Sequence, residues 1–253
     1  MAITEIFQNP TVKQVIFQIR FPSLFYIESK IGELQLKIIN DFPESALSFR
    51  KNIFLGNILP GGHGDSSPKE TESQDVQKIW EFRSTDGVKL NITSDSLDIS
   101  SWHHKTYNLG DGDKFRDIIE SVVNSFFEVT SIPIITRIGL RYIDDCPIPD
   151  MSNDSFLTHY NSSFPLARFS LLDANEMDFK TVVKRGIHFL TYRESLRSHD
   201  DNFSLVLDFD GFSNNIKSED CLSITDELHT IINCEFENTI KDPIYKIMRN
   251  VEN

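Results

Sequence analysis

The clearest pattern in the chain is an alternation of apolar and polar side chains over residues 12–21. The apolar positions share one parity, and they are Val15, Phe17, Ile19 and Phe21. The polar positions share the other parity, and they are Gln14, Gln18 and Arg20. Because successive side chains of a strand point to opposite faces, this alternation predicts a strand with one buried face and one polar face.

The same alternation returns over residues 134–143 and predicts a second strand of this kind. Ile138, Leu140 and Tyr142 fall on its apolar side. Arg137 and Arg141 fall on its polar side, with Gly139 between them. We therefore expect two half-buried strands, each with a polar face that carries arginine.

Helical periodicity predicts three amphipathic helices. The first has an apolar stripe with spacings of four, three and four, made of Ile27, Ile31, Leu34 and Ile38. The second has a longer stripe, made of Phe115, Ile118, Ile119, Val122, Val123 and Phe126. A third helix is expected over residues 224–241, where the stripe is Leu228, Ile231 and Ile232.

Further strands are expected at 47–55, 78–84, 88–93, 97–103, 179–193 and 203–209, and Gly186 offers a bend within the fifth of these. A polar, glycine-containing stretch predicts a mobile loop over about 60–77. Because several strands follow one another without a helix between them, antiparallel pairing is favoured. The expected fold class is α+β, an antiparallel or mixed sheet with amphipathic helices packed on one face. We expect a single domain, 1–253, with pseudo-halves 1–130 and 131–253 that suggest a remote internal duplication.

The chain carries a formal net charge of −13. This charge opposes binding to phosphate backbones, and it suits either solubility or a basic protein partner. The three cysteines lack a paired spacing, and neither a signal peptide nor an apolar run of membrane-spanning length is apparent. These features predict a cytoplasmic protein whose partner is another protein and not nucleic acid or a membrane. A homo-oligomer is left open.

Three stretches together resemble a sporadically distributed, largely uncharacterised prokaryotic protein family of about this length. The first joins Asn9-Pro10-Thr11-Val12 to the strand that follows, and the second is Arg137-Ile138-Gly139-Leu140-Arg141-Tyr142-Ile143. The third consists of Leu228-His229, Ile232 and Phe236-Glu237. The resemblance carries no activity over. The patchy distribution of the family implies mobile gene cassettes, in which defence and toxin–antitoxin proteins are common.

The first candidate site is built on the two arginines of the second alternating strand. Arg137 and Arg141 are four residues apart, so both side chains project from one face. If the first strand is a neighbour, Gln18 and Arg20 join them in a positive, hydrogen-bonding patch that suits a carboxylate or phosphate. The alternative is a solvated sheet face, or salt bridges to the many aspartates of the chain.

The second candidate site is a pair of carboxylates, Asp208 and Asp210. Carboxylates at i and i+2 of a strand can share a divalent cation. The alternative is an ordinary acidic turn before Gly211. No histidine pair has metal-ligand spacing, and no nucleophile stands in a catalytic motif. We therefore predict no catalytic residue and no cofactor.

These observations favour a non-catalytic protein-interaction or regulatory component, which the resemblance places in a prokaryotic defence or toxin–antitoxin cassette. The alternative is a sensor or binder of an anionic small molecule or nucleotide, or a metal-dependent hydrolase with a weak motif. A stable protein partner would support the first hypothesis. A thermal shift with an anionic ligand that depends on Arg137 and Arg141 would support the second.

Overall fold

The computed structural model describes residues 5–52, 75–112, 114–199 and 202–250. Within these ranges the strands are β1 (Val12–Arg20), β2 (Glu44–Asn52), β3 (Asp75–Arg83), β4 (Lys89–Ile92), β5 (Ser96–Ser101), β6 (Ile134–Cys146), β7 (Glu176–Arg185), β8 (His188–His199) and β9 (Asn202–Lys217). The helices are α1 (Ile27–Ile38), α2 (Phe115–Thr130), α3 (Asn153–His159), α4 (Cys221–Thr239) and α5 (Asp242–Met248). The two alternating segments form β1 and β6, and the three apolar stripes form α1, α2 and α4.

All of these strands belong to one sheet, in the order β2-β3-β4-β5-β1-β6-β9-β8-β7, and each neighbouring pair is antiparallel. The centre of the sheet is the pair β1 and β6, where Phe17 lies opposite Leu140 and Gln18 lies opposite Gly139. The polar faces of the two strands are therefore on the same side. Strands β1–β5 lie on one side of this centre and strands β6–β9 lie on the other. A duplication of the pseudo-halves 1–130 and 131–253 stays a prediction.

The predicted fold class, α+β with amphipathic helices packed on one face of an antiparallel or mixed sheet, is wrong. The described chain is an open nine-stranded antiparallel sheet with five helices, and so is mostly sheet. Residues 179–193 were expected to form one strand with a bend offered at Gly186, but the chain reverses there, at a φ of +63°, and the segment contributes to a β7–β8 hairpin. Residues 75–77 of the predicted loop begin β3, and the rest of that loop lies outside the described residues.

The apolar face of the sheet is buried by α4 and its neighbours. Phe17, Leu140 and Phe209 are fully buried in one hydrophobic core together with the stripes of α1, α2 and α4. Helix α4 crosses β9 at Gly211, where an added Cβ would lie 3.3 Å from the side chain of Ile232. Glycine at this position therefore allows a close approach between helix and strand. None of the described helices has both the length and the apolar character needed to cross a bilayer.

The opposite side of the sheet carries the polar positions of β1, β5, β6 and β9. We call this side the open face, because no helix in the described part of the chain packs on it. Its central residues are Gln18, Asp98, Arg137, Arg141, Asp208 and Asp210. Most of the predicted site residues therefore meet at the middle of the sheet.

Candidate functional site

Both predicted arginines lie on the open face, and each one binds one of the predicted aspartates. Arg141 donates two hydrogen bonds to Asp208, from Nε to Oδ1 at 2.7 Å and from Nη2 to Oδ2 at 2.6 Å. Nη2 of Arg137 donates to both carboxylate oxygens of Asp210, at 3.0 and 2.8 Å. The predicted anion site and the predicted metal site are thus one set of ion pairs between β6 and β9. The two-point geometry of the Arg141 pair fixes both side chains.

Gln18 connects the Arg137–Asp210 pair to the strands on the other side of the sheet centre. Its Oε1 accepts hydrogen bonds from Arg20 Nε at 3.0 Å and from Arg137 Nη1 at 3.3 Å. Its Nε2 donates to Asp98, which also accepts a hydrogen bond from Ser96 Oγ at 3.1 Å. The network therefore runs without a break across β5, β1, β6 and β9. Asp98 was missed at the sequence level, although it alternates with the apolar Leu97 and Ile99.

Gly139 allows the Arg137 side chain to lie flat on the sheet. A Cβ at position 139 would lie 2.6 Å from Nη1 of Arg137, so the guanidinium occupies the space above the glycine. The Arg137 Cζ atom also lies 4.8 Å from the ring centroid of Phe212. Phe212 in turn stacks on Phe189, with 5.3 Å between ring centroids. The space that the missing side chain of Gly139 leaves on this face is therefore filled by Arg137.

The charges of the network are largely matched within the protein. Burial raises the pKa of the Asp210 carboxyl above its ordinary value, and the nearby Arg137 charge opposes that shift. Burial likewise raises the pKa of Asp98. The hydrogen bonds that Arg141 donates to Asp208 raise the pKa of the Arg141 guanidinium. An external anion would have to displace these carboxylates, and a cation would have to displace the arginines. The described residues contain no group of three or more side chains able to hold a metal ion.

Replacing Arg141 by Met is expected to lower the free energy of unfolding by roughly 1–2 kcal/mol, because the Asp208 side chain would stay partly buried without its counter-charge. Asp208→Asn should recover part of this loss in the Arg141→Met background. Urea unfolding of the double-mutant cycle should give a coupling energy of about 1 kcal/mol. The matched control is Lys217→Met, whose pair with Glu219 is solvent-exposed. A coupling energy no larger than that of the control pair would contradict a structural role for the Arg141 pair.

A second cluster of polar side chains lines a cavity on the helix side of the sheet. It includes Asp144 and Tyr142 of β6, His229 of α4 and Lys105 of the segment before α2. The sequence contained one signal for it, because Asp144 has the same parity as the buried Tyr142. That signal was missed, since the strand was predicted to end at Ile143.

Comparisons with family models, curated proteins and solved structures find no match to this chain. The resemblance to a prokaryotic family therefore stays a prediction.

Proposed function

We propose that this protein is a non-catalytic interaction or regulatory component that binds another protein through the open face of its sheet. The observation that carries the proposal is the network of paired arginines and aspartates at the centre of this face, beside the stacked rings of Phe189 and Phe212. Arginine and aromatic side chains are enriched at protein interfaces, and they contribute most of the binding energy there.

The open face is large enough for a specific interface. Nine strands spaced by roughly 4.8 Å make a surface roughly 40 Å wide. Six or seven residues of strand add roughly 20 Å in the other direction. The resulting area of roughly 800 Å² equals what one partner buries in an interface of standard size. A protein partner therefore fits this surface better than a small molecule does.

The network is also suited to binding because its side chains are already held in place. Each of the two arginines on β6 is fixed by a carboxylate, so ordering it in a complex would lose little further rotamer entropy. The fixed pattern of charges can select a partner with the complementary pattern. The net charge of −13 favours a partner that is basic overall, because long-range attraction speeds the encounter.

The alternative function has less support. For a sensor of an anionic small molecule or nucleotide, Arg137 and Arg141 would have to bind the ligand, but Asp210 and Asp208 already occupy them. For a metal-dependent hydrolase, the same aspartates would have to leave those arginines. A place in a defence or toxin–antitoxin cassette rests on the family resemblance alone, and an adjacent nuclease or toxin gene would name the partner to test first.

The test is capture of a partner from the native host with variants of two different surfaces. We expect the wild-type protein to retain one protein at a stoichiometric amount. The double variant Arg20→Glu and Phe212→Ala should lose that protein, because it changes the charge and the aromatic surface of the open face. Leu36→Ser is the matched control, because Leu36 is 76% exposed on α1 and lies away from this face.

Circular dichroism of all variants would show that they are folded. Retention of the same partner by the open-face variant would contradict the proposal, and so would its loss from the Leu36→Ser control. Recovery of the chain alone at near-physiological salt would remove the basis for a protein partner. Recovery of a second copy of the chain would make the open face a homo-oligomer interface.

A further inference from the structure

The cavity on the helix side of the sheet is small, about half open to solvent, and lined mostly by apolar and aromatic side chains. Its volume is about 80 Å³, and its walls include Tyr107, Phe209, Ile232 and Phe236. An engineered apolar cavity of roughly 150 Å³ is known to bind benzene, so this one has room for a group of only a few heavy atoms. The segment before β1 lies at its edge, with Thr11 among the lining residues.

Asp144 places a buried carboxyl group against this cavity. The residue is only 4% exposed, and Thr11 Oγ1 donates a hydrogen bond to its Oδ1 at 2.8 Å. No described residue donates a hydrogen bond to the other carboxyl oxygen. This oxygen is not closed off inside the protein, so a hydrogen-bond donor that enters the cavity can reach it.

His229 and Tyr107, two of the polar residues that line the cavity, are held in place by other side chains. His229 Nδ1 lies 3.1 Å from the Tyr142 hydroxyl, and its Nε2 lies 3.0 Å from Asn233 Nδ2. The imidazole stacks on the Tyr107 ring at a centroid distance of 4.3 Å. The Tyr107 hydroxyl donates to Asp226 at 2.6 Å. The Asp144 oxygen that lacks a donor therefore faces a cavity whose walls include the aromatic rings of Tyr107 and Phe209.

The charges near the cavity favour a positive occupant. Burial lowers the pKa of His229 to about 4, so this imidazole is neutral at pH 7. Lys105 is the cation among the lining side chains, and its Nζ donates to the backbone oxygens of Val12 and Trp102, at 3.0 and 3.1 Å. Asp208, on the other side of the sheet, adds negative potential at Asp144.

We propose that this cavity binds a small organic cation of the primary-ammonium type, with Asp144 as its counter-ion and the rings of Tyr107, Tyr142 and Phe209 as its walls. An ammonium group would donate a hydrogen bond to the free oxygen of Asp144. Aromatic rings within about 6 Å of a cation attract it through their quadrupole. The alkyl part of the cation would contact the apolar walls.

Binding should strengthen as the pH rises, because the cation requires ionised Asp144. Burial raises the pKa of this carboxyl to about 7, so only roughly 1% of it is ionised at pH 5 and roughly 90% at pH 8. The affinity is expected to rise roughly 100-fold between these values. The groups that influence Asp144 are Thr11, Lys105, Asp208 and, on its own strand, Tyr142 and Cys146.

The test uses three probes of the same size at constant ionic strength, namely n-propylammonium chloride, n-propanol and sodium propionate. Titration calorimetry at pH 7 should show saturable binding of n-propylammonium alone. Repeating it in two buffers of different ionisation enthalpy should show release of roughly half a proton for each cation bound, because about half of Asp144 is protonated at its pKa. Asp144→Asn should weaken n-propylammonium binding at least 10-fold.

The matched control is Asp145→Asn, because Asp145 is the next residue of β6 and is exposed, 3.8 Å from Lys13. It should bind n-propylammonium as the wild type does. Saturable binding of propionate would overturn the proposal in favour of an anion site at Lys105. Equal binding of propanol would show a merely apolar cavity, and no saturation by any probe would show a cavity that holds only water. Binding that persists in Asp144→Asn would also overturn it.

Discussion

Asp144→Asn is expected to stabilise the protein at pH 8 by about 4 kcal/mol and at pH 4.5 by only about 1 kcal/mol. The pKa of Asp144 is about 7 in the folded protein and 3.8 in the reference state. Because the folded pKa is raised, the carboxyl contributes its stability in full only below pH 3.8, and this contribution is lost as the pH rises through 7. Asn does not ionise, so the variant escapes the loss while it can still accept the Thr11 hydrogen bond.

Urea unfolding at the two pH values measures this effect. Asp145→Asn is the matched control, and it should change the stability by less than about 0.5 kcal/mol at both, as substitutions at exposed sites usually do. The informative quantity is the difference between the stabilisation by Asp144→Asn at pH 8 and at pH 4.5. A general gain in packing would stabilise the variant equally at both pH values. An Asp144→Asn variant that is equally stabilised at both values, or destabilised at pH 8, would show that the folded protein does not disfavour the carboxylate.

The instability of ionised Asp144 and the proposed cation site have one physical origin. A carboxylate in this small, mostly apolar cavity loses much of its hydration and gains only the Thr11 hydrogen bond and the Lys105 charge in return. A bound cation would restore both a hydrogen bond and a counter-charge. Residues that carry such uncompensated groups are common at ligand sites, although structural networks also contain them. The two experiments distinguish a ligand site from a structural network. Both kinds of site predict the stability effect, but only a ligand site predicts saturable binding of n-propylammonium.

The local pattern of the sequence was sufficient to place side chains on the correct face of a strand. Alternation over residues 12–21 and 134–143 put Arg137, Arg141 and Gln18 on polar faces, and the structure brings those faces together. It was not sufficient to name their partners. Asp208 and Asp210 lie on β9, about 70 residues from the arginines along the chain. Pairing at that distance depends on strand order and register, which no local pattern encodes.

The local pattern of the sequence also failed to predict where strands end. β6 ends at Cys146, although its clear alternation ends at residue 143. β9 ends at Lys217, although its clear alternation ends at residue 209. In β7 both faces are partly exposed, so its alternation is weak and its hairpin with β8 was read as a single strand. Neighbouring strands supply the hydrogen bonds that extend these elements. This is why the amount of sheet was underestimated and the fold class was wrong.

A second buried carboxylate, Glu194 on β8, has the opposite character to Asp144 because the protein satisfies it fully. The residue is 1% exposed. Its oxygens accept hydrogen bonds from the Tyr192 hydroxyl at 2.5 Å, the Ser162 hydroxyl at 2.7 Å and the Ser163 backbone nitrogen at 3.0 and 3.2 Å. Every partner is a donor, so a carboxylate fits the site and an amide does not. These hydrogen bonds hold the segment that follows α3, at Ser162 and Ser163, against strand β8.

Glu194→Gln is therefore expected to lower the free energy of unfolding by about 2–4 kcal/mol, although Gln has nearly the same shape as Glu. The amide –NH₂ group must face donors instead of accepting from them, and the Ser163 N–H or the Tyr192 hydroxyl is left buried without a partner. Urea unfolding measures the loss, and limited proteolysis should show faster cleavage near residues 161–164. Glu219→Gln, at an exposed pair with Lys217, is the control and should change stability by less than about 0.5 kcal/mol. If the two variants are equally stable, the hydrogen bonds at Glu194 do not fasten this segment, and the apolar contacts of Phe164 and Leu166 with the core must hold it instead.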